Sequence, residues 1–296
     1  MSFPTLRISF QSVLVFTFFI PGQVKESYLL SPHSFVVGQG KTLAVYLNSE
    51  IPLKSVEGNF LDKTLPFLLS DKERVEGTPF TYRSLIGIPI ETKPDSYLFR
   101  ISITKVESSV ESLFTTIQVV ETPFEKEEIT IPPPKENLLT SDALLKESEI
   151  FRKILSEVRE NQYWEGRFFP PIEGRISSPF GIYRIYNDGT SSRPHRGVDL
   201  ANLEGTPILA PNSGRIVLSR NLEFHGNTLI IDHGQGVYTI LNHLKRRFAR
   251  KGDKVKKGET VGLVGETGFA TGPHVHWGLS IHDVRVDALE WTEKEW

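Results

Sequence analysis

The sequence predicts an all-β chain: a small β-sandwich, a linker with one helix, and a larger antiparallel β domain. Three observations carry that expectation. Residues 26–122 alternate apolar and polar side chains in short stretches broken by proline. Residues 168–296 are strand-like and punctuated by glycine at close intervals. Only one intervening stretch, Asp142–Glu160, bears a helical apolar stripe. A period of two marks a half-buried strand, and a period near 3.6 an amphipathic helix.

At the N-terminus, one arginine, Arg7, precedes the apolar run Ile8–Ile20, which Pro21-Gly22 ends. That is the layout of a secretory signal peptide, and the run is short for a membrane span. Residues 1–22 are therefore expected to be a signal peptide or an N-terminal anchor of an exported protein, with no stable membrane insertion after cleavage. Strands are expected at Ser34–Val37, Thr42–Leu47, Tyr97–Ile103 and Leu113–Val120, with Pro52, Pro66, Pro79, Pro89 and Pro94 between them. These make residues 23–125 a β-sandwich. Glu121–Thr140 turns acidic and holds Pro132-Pro133-Pro134, a stiff linker composition. In the helix that follows, Leu144, Phe151, Ile154, Leu155 and Val158 share a stripe, and Thr140 or Ser141 can cap its start. Linker and helix span 126–167. Residues 168–296 form the last domain, with strands at Arg215–Leu218, Thr228–Asp232, Val237–Leu241, Val261–Val264 and His274–Leu279. Gly262–Gly268 looks like a phosphate loop but lacks its lysine and following helix, so that reading is rejected.

The absence of cysteine narrows the chemistry. It excludes disulfides, thiolate metal sites, thiol nucleophiles and a lipidated N-terminal cysteine. Any metal must be held by histidine and carboxylate, and five of the eight histidines lie between His233 and His282. The net charge of −2 gives no global field for nucleic acid. Its distribution is uneven, with an acidic first half and a mildly basic remainder. Lys245-Arg246-Arg247, Arg250-Lys251, Lys254 and Lys256-Lys257 face only Asp253. A solvated hairpin face explains such a run, and an anionic polymer is the alternative.

Three pieces bring rare residues to suggestive spacings. His195 and Asp199 stand four apart, and Pro194 and Gly197 argue for a loop entering a strand. His243 follows the strand Val237–Leu241. His274 and His276 sit two apart and so point to one side of a strand. Two histidines and an aspartate would satisfy a catalytic zinc, which takes three protein ligands and a water. The other two histidines would then be free for proton transfer. Spacing leaves open which residues bind and which catalyse. For His33, His225, His233 and His282, packing or turn roles suffice.

These pieces resemble, in order, the lysostaphin/LytM-type zinc metallopeptidases of the M23 class. The resemblance rests on Ile176–Gly181, HRGVDL at 195–200, GTPILAPNSGRIV at 205–217, GNTLIIDHGQGVYTILNHL at 226–244 and GDKVKKGETVGLVGETGFATGPHVHWGL at 252–279. It implies a LytM/M23-type, duplicated-hybrid-motif-like antiparallel fold. It also implies one zinc per chain, with His195, Asp199 and His276 as ligands and His243 and His274 as catalytic histidines. The implied activity is endopeptidase cleavage of peptidoglycan stem peptides or cross-links, in the periplasm or cell envelope. Residues 84–103 resemble, more loosely, the Ig-like domain that precedes the peptidase in some exported members, which implies positioning or regulatory contact with the cleft. The strand before His243 reads Tyr-Thr-Ile-Leu-Asn, where members often place tyrosine nearer the histidine.

Two other functions compete with a peptidase. A non-catalytic wall-binding or amidase-activating protein on the same fold would be expected to lack ligands, and none is lost here. GDKVKKGETVG also resembles hairpins of biotinyl and lipoyl carriers, but that reading leaves HRGVD and HVH unexplained.

Overall fold

The computed structural model describes residues 14–17, 27–32, 34–130, 142–186 and 191–296. Leu14–Thr17 of the expected leader pairs antiparallel with Ser27–Ser31. The rest of the leader, His33, Pro132-Pro133-Pro134 and the candidate caps Thr140 and Ser141 lie outside the described residues.

The N-terminal part forms two five-stranded sheets. One runs in the order Leu14–Thr17, Ser27–Ser31, Thr42–Ser49, Phe80–Gly87, Leu68–Leu69. The other runs Val36–Gly38, Val110–Val120, Asp95–Lys105, Leu53–Phe60, Lys63–Pro66. Alternation shows why Asp95–Lys105 was legible: Phe99, Ile101 and Ile103 are buried, whereas Leu98 and Arg100 are exposed. Of the strands that the sequence reading did not place, the two longest escaped it for physical reasons. Leu53–Phe60 changes register between Leu53 and Ser55, which breaks its period. Phe80–Gly87 buries polar residues beside apolar ones, with Thr81 Oγ1 donating to Asn48 Oδ1 at 2.6 Å, so no alternation of polarity survives.

The described residues fall into two compact units. One comprises the chain up to Val36 with Ala44–Leu85 and Ser96–Gln118; the other comprises Val37–Leu43, Ile86–Asp95 and Val119–Trp296. At the centre of the second unit is an eight-stranded sheet. Its order is Arg175–Ser178, Val198–Ala201, His274–Ile281, Val237–Leu244, Gly226–Gly234, Gly214–Leu222, Lys254–Val255, with Val284–Val286 also on His274–Ile281. Every pair in it is antiparallel. Lys126–Ile129, in the stretch expected as linker, instead pairs parallel with Tyr183–Tyr186.

The helix spans Asp142–Leu155 and ends before the expected Glu160. Phe151 and Leu155 pack on Leu218, Leu222, Ile230, Tyr238 and Ile240, so its apolar stripe is consumed by the sheet within four turns. Val158 lies past the helix and is exposed. Glu147, one turn before Phe151, is buried on the same face.

Candidate metal centre and flanking histidines

Three adjacent strands converge on one cluster. On His274–Ile281, Val275, Trp277, Leu279 and Ile281 are fully buried. Burial of that face turns His274 and His276 to the other, as a two-residue period requires. Across the ladder, Asp199 is paired with His276 and Ala201 with His274. On the far side of the same strand, Asn242 is paired with His276. His195 stands between Ser191–Pro194 and Val198–Ala201, outside both strands.

The donor atoms meet closely. His276 Nδ1 lies 2.8 Å from Asp199 Oδ1, and His195 Nε2 lies 3.0 Å from His276 Nδ1 and 3.1 Å from Asp199 Oδ1. The edge of a tetrahedron with zinc–nitrogen bonds is about 3.3 Å, so the triangle is of metal-binding size. Two imidazoles and a carboxylate also suit zinc chemically. Among the described residues, His195, Asp199 and His276 form the group able to hold a metal ion. His195 Nδ1 donates to the Pro179 carbonyl at 2.9 Å, which leaves Nε2 with its lone pair facing the cluster. Gly197 is needed for close approach: a Cβ there would lie 2.5 Å from His276 Cε1 and Nε2 and 2.9 Å from the Trp277 carbonyl.

Ionisation follows from burial and from the neighbours. Burial alone would raise Asp199, but His195 and His276 hold its carboxyl well below the usual carboxylate range. Burial pushes His276 down to about 3 against the opposing pull of Asp199. These directions describe a carboxylate beside a neutral His276 imidazole, the forms that ligate metal. Asp199 Oδ2 accepts a hydrogen bond from the partly buried Arg184 guanidinium. Burial would lower Arg184, yet Asp199 raises it above its ordinary value.

His243 and His274 flank the triad, their ring centroids 4.9 Å apart. His274 Nδ1 donates to the Gly272 carbonyl at 2.8 Å, and its Nε2 lies 3.8 Å from Asp199 Oδ1. His243 Nδ1 donates to the Thr267 carbonyl at 2.9 Å. In an unbroken strand, His243 would face the same side as Leu241, which pairs with the core residue Trp277. A left-handed backbone at His243, φ 67°, breaks that alternation and brings its ring within 6.2 Å of the His276 ring. Burial, with His274 and His276 adding to it, pushes His243 well below its ordinary value.

All five residues singled out from the sequence thus meet in one place. His233 does not join them: its Nδ1 contacts the Ser213 carbonyl and its Nε2 the Thr239 hydroxyl. His225 pairs with Glu147. Arg184 was missed, since nothing in local spacing ties it to Asp199 fifteen residues on.

Residues 193–288 match the family model Peptidase family M23. The chain is 38% identical over 116 residues to the peptidoglycan DD-endopeptidase ShyA of Vibrio cholerae, covering 39% of this chain and 27% of that protein. It is 40% identical over 120 residues to the DD-carboxypeptidase/endopeptidase Mpg of Neisseria meningitidis, covering 40% of this chain and 27% of the relative. The chain therefore spans about a quarter of the length of these curated relatives. A crystal structure from Pseudomonas aeruginosa assigned to peptidase M23 superposes with a TM-score of 0.62 at 25% identity, over 86% of this chain and 94% of that one. Residues 193–288 are an M23-family metallopeptidase domain, preceded in the chain by a β-rich domain.

Proposed function

We propose that this protein is an exported zinc metalloendopeptidase that hydrolyses peptide bonds in peptidoglycan stem peptides or cross-links. The observation that carries the reading is the convergence of His195 Nε2, Asp199 Oδ1 and His276 Nδ1 within 4.8 Å, flanked by two more histidines. The substrate class follows the activities for which the two relatives above are named. A zinc ion held by these three groups would supply Lewis acidity toward the scissile carbonyl and a water acidic enough to attack it near neutral pH.

The chain's own residues complete the chemistry. Asp199 brings one negative charge, and Arg184 occupies Oδ2, leaving Oδ1 as the donor atom. His243 and His274 each commit Nδ1–H to a backbone carbonyl. Each therefore keeps Nε2 for the reaction. Between them they accept the proton of the attacking water and, once protonated, donate to the developing oxyanion.

The N-terminal β-rich part is read as an Ig-like module that positions or regulates the peptidase, and the peptidase sheet as duplicated-hybrid-motif-like. Residues 1–22 are read as the export signal, with the periplasm or cell envelope as the place of action. No helix among the described residues is long and apolar enough to cross a membrane. The test is digestion of purified sacculi with mass analysis of the released muropeptides. The expected products are un-crosslinked or shortened peptides, lost on chelation and restored by zinc. Sacculi left unchanged, or cleavage within the glycan strand, would refute the reading.

A further inference from the structure

Beyond the triad, one buried acid on the helix upstream of the matched domain bonds to the loop that holds His243. Glu147 is 4% exposed and accepts three hydrogen bonds: from Phe224 N at 3.0 Å, His225 N at 3.2 Å and His225 Nδ1 at 2.6 Å. A carboxylate buried to this degree, with three donors aimed at it, fixes the loop that supplies them. That loop in turn holds His243. The His225 carbonyl accepts from His243 N at 3.0 Å, and the Phe224 carbonyl accepts from Phe269 N at 2.7 Å. The Phe224 and Phe269 rings stack at 4.8 Å. Phe269 belongs to the turn whose Thr267 carbonyl takes His243 Nδ1–H. Backbone and ring of His243 are thus gripped from two loops, and Glu147 anchors one of them.

The grip has a physical reason. A non-glycine residue at φ 67° is in a sparsely populated, strained region and persists only where its surroundings over-determine it. We propose that Glu147 is a positioning residue for His243: through the Phe224-His225 loop it holds the strained backbone that turns the imidazole toward the metal cluster. Glu147 then acts on His243 from a helix that lies outside the residues that match the family model. This inference rests on reading His243 as a reacting group.

The test uses the full chain. Glu147→Gln keeps the shape but replaces one acceptor oxygen by a donor, which then faces either Phe224 N or the two donors of His225. The expected result is a fall in kcat of about tenfold or more, because small misplacements of a reacting group are costly. KM and zinc content should stay within twofold of wild type, and the imidazole nitrogen resonances of His243 should shift. Leu155→Ala removes apolar packing at the far end of the helix, about two turns from Glu147, without touching His225. It should lower Tm and leave kcat unchanged at a temperature where circular dichroism shows both variants folded. Should Glu147→Gln fail to fold, His225→Leu decides, since it deletes one of the three donors and is expected to give a smaller fall in kcat. The proposal is overturned if kcat stays within twofold, if Leu155→Ala loses as much kcat, or if His243 resonances do not move. If wild type cleaves no peptide, the proposed function fails, yet the resonance comparison still decides whether Glu147 positions His243.

Discussion

His243 shows how much of this site depends on single residues in unusual positions. Its left-handed backbone costs stability, and such strain concentrates at reacting centres. Asparagine tolerates that conformation. His243→Asn is therefore expected to retain zinc while losing about 10²–10⁴-fold in kcat, the usual worth of a proton-transfer group, as measured on a synthetic peptide substrate. Retained turnover would remove His243 from the chemistry. Gly197 gives a complementary case. An alanine methyl would press on His276 and on the Trp277 carbonyl, where backbone cannot yield cheaply. Gly197→Ala is expected to weaken zinc binding by about 10–100-fold in a chelator competition. Unchanged affinity would mean that His276 is not held where the structure puts it. The histidines and Asp199 were legible from sequence because a metal site demands rare residue types, and a strand's period of two places His274 and His276 together. Arg184 and Glu147 were not legible, because each acts across the fold on a residue with which it has no periodic relation.

At the scale of elements, the helix Asp142–Leu155 was found from its apolar stripe, but its buried acid was not. A glutamate within that stripe reads as solvated until the loop facing it is known. Burial would raise Glu147, yet the hydrogen bonds from His225 and from Phe224 N hold it below its ordinary value. Burial likewise holds His225 below its ordinary value, despite Glu147. The signs agree. A depressed carboxylate stabilises the fold above its unfolded pKa of about 4.3 and loses that stabilisation as pH falls through its folded value. A depressed histidine stays neutral when folded, while the unfolded chain takes up its proton below about pH 6.5, so stability again falls on acidification. Tm is expected to drop between pH 7 and pH 4. In Glu147→Gln, Tm at pH 7 is lower and the drop should be larger, because the carboxylate no longer supports the charged form of His225. Equal drops in thermal melts of the two proteins would show that the pair is not linked to folding.

On the scale of the whole molecule, the mostly β character and the positions of the main C-terminal strands followed from alternation and glycine spacing. The composition of the second unit did not, because it is made by contacts between residues far apart in the chain. Lys41 pairs with Asp287 at 2.8 Å, Thr42 N donates to Glu290, and Trp291 Nε1 donates to Thr42 Oγ1 at 3.0 Å in a buried position. Thr42→Val keeps the shape and strands the indole N–H, so it is expected to cost about 1–3 kcal/mol in denaturant unfolding. A cost below 0.5 kcal/mol would mean that this anchor is idle. The absence of cysteine now has a positive counterpart in one His–Asp–His cluster. Zinc content and sacculus digestion, measured together on the wild type and His276→Ala, test that cluster most directly. The wild type should carry close to one zinc per chain and release peptide fragments, and the variant should lose both. A wild type without zinc, or digestion unaffected by the substitution, would contradict it.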